Sequence, residues 1–387
     1  MNDSLDEKKS LHRRLFRIIG SLLSLSLLTF VAIILISGRQ MSLTGNLKDR
    51  SNRSSTEVLD EYAFSVGRER VFADLNGSLL AAGTLGIQVL DVGGSELFSD
   101  SFRMSSPAIS AQDGYAIAYD LGASSIRILN KNGIIAAIES EGSVISASIN
   151  RNGWASVCSQ ESGLSKGLVT VYNSSGNVVY RVDLVTGYVL SAELSPDNGS
   201  LAILNLTGEG SRITFYNLNN TIVDRVIDMQ GTLVLDIRYL SGGEVFAVST
   251  SALSVVGRND ESVSVYEFAG RQLGGYALND DFVALYLLEH NVGHDGLLVT
   301  IGSDGYVLGE VEMSREIASM SASSDYLAVL RSDGIVFFNT SLDEIPVMAN
   351  ASSMVGATGV IALGNGMALL AGDHFASVYR SDIKREE

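Results

Sequence analysis

Apolar residues follow two patterns along this chain. Residues 18–36, from Ile18 to Ile36, form one run without a charged side chain. At 1.5 Å rise per residue it is long enough to cross roughly 30 Å of hydrocarbon as a single helix. From about residue 60 onward the apolar residues come instead in short stretches cut by glycine, asparagine and aspartate. Runs of four to eight residues bounded by Asn-Gly, Asp-Gly and Gly-Gly predict strands joined by hairpins.

The strand-like stretches repeat. An apolar segment containing alanine recurs as SLLAAG (78–83), YAIAYD (115–120), WASVCS (154–159), SLAILN (200–205), EVFAVS (244–249), FVALYL (282–287), YLAVLR (326–331) and MALLAG (367–372). Their starts lie 37 to 46 residues apart, which is the period of a four-stranded propeller blade. A small-residue strand precedes each, as in AISAQDG (108–114), SASINRNG (146–153) and SAELSPDNG (191–199). A β-branched and aromatic strand follows, as in SIRILN, LVTVYN and RITFYN, and then an outer strand such as IIAAIE (134–139) or NVVYRV (177–182). The expectation is an all-β fold, an eight-bladed β-propeller, with seven blades as the alternative. The recurring alanine is assigned to crowding of inner strands around the axis. The last repeat has three strands, so residues 60–67 are expected to supply its fourth and fasten the ring.

The anchor divides the chain into a cytoplasmic tail (1–17), a transmembrane helix (18–37), a polar tether (38–59), the propeller (60–382) and a short tail (383–387). A cleaved signal peptide has a shorter apolar core and a small-residue cleavage site, whereas this run ends Ile36-Ser37-Gly38-Arg39. Arg13, Arg14 and Arg17 press against its N-terminal end. That bias places the N-terminus in the cytoplasm and the propeller outside the cell membrane. Gly20 and Ser24 make a small-xxx-small pair on the anchor, which can bring two helices together.

Charge narrows the partners. Residues 1–59 hold 9 Lys+Arg against 5 Asp+Glu, and the rest hold 18 against 39; the two charges, +4 and −21, give the chain's −17. So acidic a domain repels phosphate backbones, and nucleic acid is not an expected partner. The single cysteine, Cys158, permits no internal disulfide, so stability must come from a packed core.

Candidate chemistry is sparse. His290 and His294 follow Glu289 at a zinc-like spacing, but between predicted strands and with Gly293 beside them, so the helical face that would converge them is absent. The turns Ser195–Gly199 and Gly302–Gly305 offer oxygen ligands for calcium without the ordered series of a calcium loop, and turns favour the same residues for backbone reasons. Cys158 lies in a predicted buried strand, where a thiol behaves as a small hydrophobe. Trp154 is the one tryptophan, too few for the repeated tryptophan motifs of quinoprotein propellers or the aspartate–tryptophan turns of sialidase-type ones. No catalytic, cofactor-binding or metal-binding residue is assigned, and no cofactor is expected.

The layout resembles the DUF5711 family of membrane-anchored, propeller-like proteins of clostridial-type bacteria. The resemblance is carried by the Arg-flanked anchor, by NGIIAAIESEGSVISASINRNGWASVCSQESGLSKGLVTVYNSSGNVVYRVDL (132–184) and by GYVLSAELSPDNGSLAILNL (187–206). It implies a bacterial envelope setting and a propeller, and transfers no activity. The functional expectation is a membrane-anchored binding or scaffolding module. Its partner would be a protein or an envelope glycan held by rim loops, with 159–167, 205–211 and 250–261 as the insertions of interest. The alternative is an envelope polysaccharide hydrolase acting through paired carboxylates in the central channel.

Overall fold

The computed structural model describes residues 64–160, 166–259, 262–289, 295–314, 316–323, 325–345, 357–364, 366–372 and 376–380. They form eight antiparallel sheets, seven of four strands and one of three. The innermost strands are Val71–Leu75, Pro107–Gln112, Ser143–Ile149, Tyr188–Leu194, Val234–Tyr239, Gln272–Leu278, Ile317–Ala322 and Ala357–Gly364, one for each of blades 1 to 8. The proposed membrane helix at 18–37, with its tail and tether, lies outside the described residues. Among those described, no helix is long and apolar enough to cross a membrane.

The eight alanine-bearing stretches are the second strand of each blade, from Ser78–Gly83 in the first to Met367–Gly372 in the eighth. The expected cause of the alanine needs correcting. These strands do not line the axis; they lie one position out, sandwiched between neighbouring blades. Ala82, Ala118, Ala202, Ala284, Ala328 and Ala368 are all fully buried. The innermost strands admit larger side chains, including Glu193, Asp236 and Arg238.

Blade-to-blade packing builds the core. Among the described residues there are eight hydrophobic clusters, and each joins two consecutive sheets. Ala202, Leu204 and Phe215 of blade 4 meet Ile237, Tyr239 and Ala247 of blade 5. Phe246 and Leu253 of blade 5 meet Leu285 and Val299 of blade 6. Tyr326 and Phe337 of blade 7 meet Val360 and Leu370 of blade 8, and the Tyr326 hydroxyl donates across that boundary to the Met367 carbonyl at 2.5 Å. The ring closes where Leu369, Ala376 and Val378 of blade 8 pack on Leu79 and Leu90 of blade 1.

Closure differs from expectation in one respect. Blade 8 has no fourth strand among the described residues, and residues 64–67 are not a strand; residues 60–63 lie outside the described set. Residues 64–70 form the connector into blade 1. Val66 O accepts from Leu85 N at 2.8 Å and Arg68 O from Thr84 N at 2.9 Å. The connectors into blades 2 and 5 make the same kind of bond to their own hairpin turns, Ser106 O with Leu121 N and Leu233 O with Thr250 N. Phe64 still helps at the seam, its ring tilted against that of Phe72 at 5.1 Å within the cluster shared by blades 8 and 1.

Two insertions expected as rim loops contain strand. Residues 205–211 continue the hairpin of Ser200–Thr207 and Gly210–Asn217, and 250–261 contain the third strand of blade 5, Ala252–Val256. The third, 159–167, is described only at its ends.

If the second strands are confined by both neighbours, enlarging one must strain the ring. Ala202→Leu is expected to cost about 1–3 kcal/mol by overpacking, read as a lowered urea midpoint; an unchanged midpoint would contradict this packing.

Candidate functional site

The channel is built by strand alternation and by recurrent bulges. In blades 4 to 8 the innermost strand slips register against the second strand near its start: between Val189 and Ser191, Val234 and Asp236, Leu273 and Gly275, Ile317 and Ser319, and Ala357 and Gly359. A bulge re-aims the residues that follow it. Ala192, Leu194, Ile237, Tyr239 and Ala277 turn into the blade core, and the alternate positions Ser191, Glu193, Asp236, Arg238 and Tyr276 face the axis.

Two adjoining cavities result. The inner one, about 430 Å³, is lined by Glu193, Asp236, Arg238, Tyr119 and Tyr276 and by serines of blades 2 to 4. The outer one, about 380 Å³, opens at the rim formed by the turns between first and second strands, and includes Asp74, Gln112, Asp113, Arg151 and Asp280. Arg238 borders both.

Asp280 organises the outer cavity. Arg238 donates to its Oδ1 through Nη2 at 2.9 Å and Nε at 3.2 Å. Arg151 donates to Oδ2 at 2.9 Å, and Gln112 Nε2 donates to the same oxygen. Arg151 also reaches Asp113 at 3.6 Å and the Ser241 hydroxyl at 3.1 Å. These bonds tie together turns from blades 2, 3, 5 and 6. Burial alone would raise the Asp280 carboxyl, but Arg238, Arg151 and Gln112 outweigh it and hold it below the usual carboxylate range. Burial likewise opposes the charge on Arg238, and the carboxylates of Glu193, Asp280 and Asp236 more than restore it.

Two other carboxyls are not so compensated. Glu193 sits deep in the ring, and burial pushes it up to about 7, against a pull from Arg238 and with a further push from Asp236. Asp236 is raised by burial too, although the Ile237 amide donates to it at 2.9 Å and the Tyr276 hydroxyl at 3.3 Å. At the rim Asp74 is raised to about 7, chiefly by burial; the Gly77 amide at 2.9 Å opposes this and the nearby Asp113 adds to it.

The same rim carries a groove of about 460 Å³ between blades 4 and 5, lined by Arg151, Asp197, Asn219, Tyr239, Arg258 and Asn259 among others. Turns on this rim are cross-braced between blades: Asn150 Nδ2 donates to Ser195 O at 3.0 Å, and Asn279 Nδ2 to Ser323 O at 2.7 Å.

The residues singled out from the sequence fall elsewhere. His290 and His294 lie outside the described residues. In the Ser195–Gly199 turn the Asp197 carboxylate is occupied by the Ser195 hydroxyl (2.7 Å), the Gly199 amide (3.0 Å) and Arg258 (3.2 Å). In the second turn Asp304 accepts from Tyr306 N at 3.0 Å. Among the described residues no group of three or more His, Cys, Asp or Glu could hold a metal ion. Cys158 is fully buried and its thiol is pushed up to about 12 by that burial, which disfavours the thiolate that nucleophilic attack needs. Trp154 packs against the cluster between blades 3 and 4. Glu193, Asp236, Arg238 and Asp280 were missed. Their signal was charge interrupting the small-residue segments SAELS, LDIRY and ALNDD.

A closed ring of eight antiparallel sheets around an ion-paired channel defines an eight-bladed β-propeller of the WD40-like kind. Solved structures agree. The crystal structure of BamB from Moraxella catarrhalis superposes with a TM-score of 0.55 at 14% identity, covering 84% of this chain and 99% of that one. The C-terminal WD40 domain of Sif2 gives 0.54 at 13% identity, with 84% and 98% covered. Likeness at such identity establishes fold alone. No curated protein sequence matches the chain significantly. The chain belongs to DUF5711, a family of unknown function, which matches residues 49–344.

Two outcomes follow from this network. A carboxyl with a raised folded-state pKa makes the native state bind more protons than the unfolded one, so stability falls as pH rises through the window. For Glu193 that window runs from its ordinary 4.5 to about 7. Glu193→Gln is therefore expected to melt higher than the parent at pH 8, with the gap closing toward pH 4.5; a gap that widens on acidification would contradict it. Asp280→Ala strands two arginines and should cost about 3 kcal/mol in urea unfolding. Adding Arg238→Met should recover part of that loss, and a neutral single variant would sink the reading.

Proposed function

We propose that the protein is a membrane-anchored, extracytoplasmic binding or scaffolding module of the bacterial cell envelope. Its partner is a protein or envelope glycan engaged at the rim of the ring. The observation that carries this reading is the braced rim. Eight shared cores and the hydrogen bonds of Asn150 and Asn279 hold turns from separate blades in fixed relation, and loops fixed by a rigid scaffold are suited to recognition. The groove beside Arg258 and Asn259 presents polar groups of both charges to solvent. The uncharged run at 18–36 and the arginines before it support the anchor and its orientation.

Binding is preferred to polysaccharide hydrolysis for a geometric reason. Cleavage of a polymer by two carboxyls needs a cleft along which the chain can lie. Glu193 and Asp236 share a cavity of about 430 Å³ walled by five innermost strands, with Arg238 among its lining residues.

Fractionation of cells expressing the full chain tests the placement. The full chain is expected in the membrane fraction, with its propeller cleaved by protease added to spheroplasts, and a version lacking residues 18–37 in the soluble fraction. Recovery of the full chain as soluble protein, or a propeller degraded only after lysis, would overturn the proposal.

A further inference from the structure

The channel charges do not cancel evenly. Arg151, Arg238, Asp113 and Asp280 form a connected quartet, with contacts of 3.6, 2.9 and 2.9 Å, whose two positive and two negative charges sum to zero. Of the other channel carboxyls, Asp74 and Asp281 lie at the rim, and Glu193 and Asp236 lie deeper. They line the inner cavity together, and among the described residues no ion pair reaches either one. Asp236 is held only by a tyrosine hydroxyl and its neighbouring amide. On the Glu193 strand, two positions earlier and on the same face, the Ser191 hydroxyl is buried without a hydrogen-bond partner.

We propose that the inner cavity binds a small organic cation that carries hydroxyl groups, a compound of the amino-sugar class. This site is separate from the rim and does not depend on the rim's partner. Glu193 and Asp236 supply the attraction for one ammonium group; the Arg238 guanidinium beside them pulls on both but gives its hydrogen bonds to Asp280. Tyr119 and Tyr276 also line the cavity, and aromatic side chains favour a neighbouring cation. Ser191 and the hydroxyls of Ser110 and Ser146 offer partners for sugar hydroxyls. A bare metal ion fits less well, since no cluster of three ligating groups exists among the described residues. At about 430 Å³ the space matches a multi-atom ligand, ligand pockets starting at roughly 300 Å³.

A purely structural role accounts poorly for Glu193. Its carboxyl is held against its own ionisation by burial, and serine or alanine occupies comparable positions in blades 2, 3 and 7. A buried acid that weakens the fold it sits in is a mark of a working site.

Isothermal titration of the purified full chain with D-glucosamine tests the proposal, with D-glucose (hydroxyls without charge) and methylammonium (charge without hydroxyls) as controls. Saturable binding of glucosamine at one site is expected, about tenfold or more tighter than either control, as loss of one charge-assisted hydrogen bond implies. Glu193→Gln and Asp236→Asn should each weaken it by about tenfold or more, while circular dichroism shows the strand content and cooperative melt retained. Absence of heat with the parent protein would overturn the assignment. So would equal affinity for glucose, or full binding by a folded Glu193→Gln variant.

Discussion

Everything in this propeller depends on the dry interface between neighbouring blades, one strand out from the axis. Each blade is a sheet with two faces to cover, and the blades on either side cover both. The second strands are therefore buried on both faces, as the unbroken burial of Ser78–Gly83 shows. Their separation from the neighbouring sheets leaves room for only short side chains at intervals, which alanine fills. Larger buried residues such as Phe215 and Phe337 sit on the third strands, one position farther out. Burial of this kind supplies the main favourable free energy of folding. The ring is complete because the interface between blades 8 and 1 is built like the other seven.

That arrangement frees the axis. With the core placed between blades, the inward positions of the innermost strands need not be apolar. Many carry serine or alanine, and the exceptions include Asp74 in blade 1 and Gln112 in blade 2 besides those of blades 4 to 6. There the protein bears the desolvation of several charges, which low dielectric makes expensive unless partners are close. Arg151, Arg238 and Asp280 are paired well enough for Asp280 to stay ionised. Glu193 and Asp236 are not, and their proton affinity rises accordingly. The contrast between two sets of acids in one channel separates a structural clamp from groups available to a ligand.

Much of the architecture could be read from the chain because blade geometry imposes a repeat on it. Alanine recurring every 37 to 46 residues reports the shared interface directly, and that reading yielded eight blades and the correct second strands. The reason attached to it was displaced by one strand, since a size pattern along the sequence does not say which side of a strand is crowded. Blade 5 misled for another reason. Its third strand, Ala252–Val256, is short and mixed with serine, so a strand was read as an insertion. The site was harder to see. Glu193, Asp236 and Asp280 are 43 and 44 residues apart, and only ring closure brings three successive repeats to one axis. Bulges at Leu190 and Leu235 then decide which side chains face it, and a bulge leaves no mark in an alternating pattern.

Hydrogen exchange of backbone amides, resolved by peptide, tests the central claim most directly. If all eight interfaces are equivalent and the ring is closed, amides of the second strands in blades 1 and 8 will be protected to the same degree as those in blades 4 and 5, and all will be lost in one cooperative step. Rapid exchange in blades 1 and 8, with the middle blades still protected, would mean an open stack of sheets and would contradict this account.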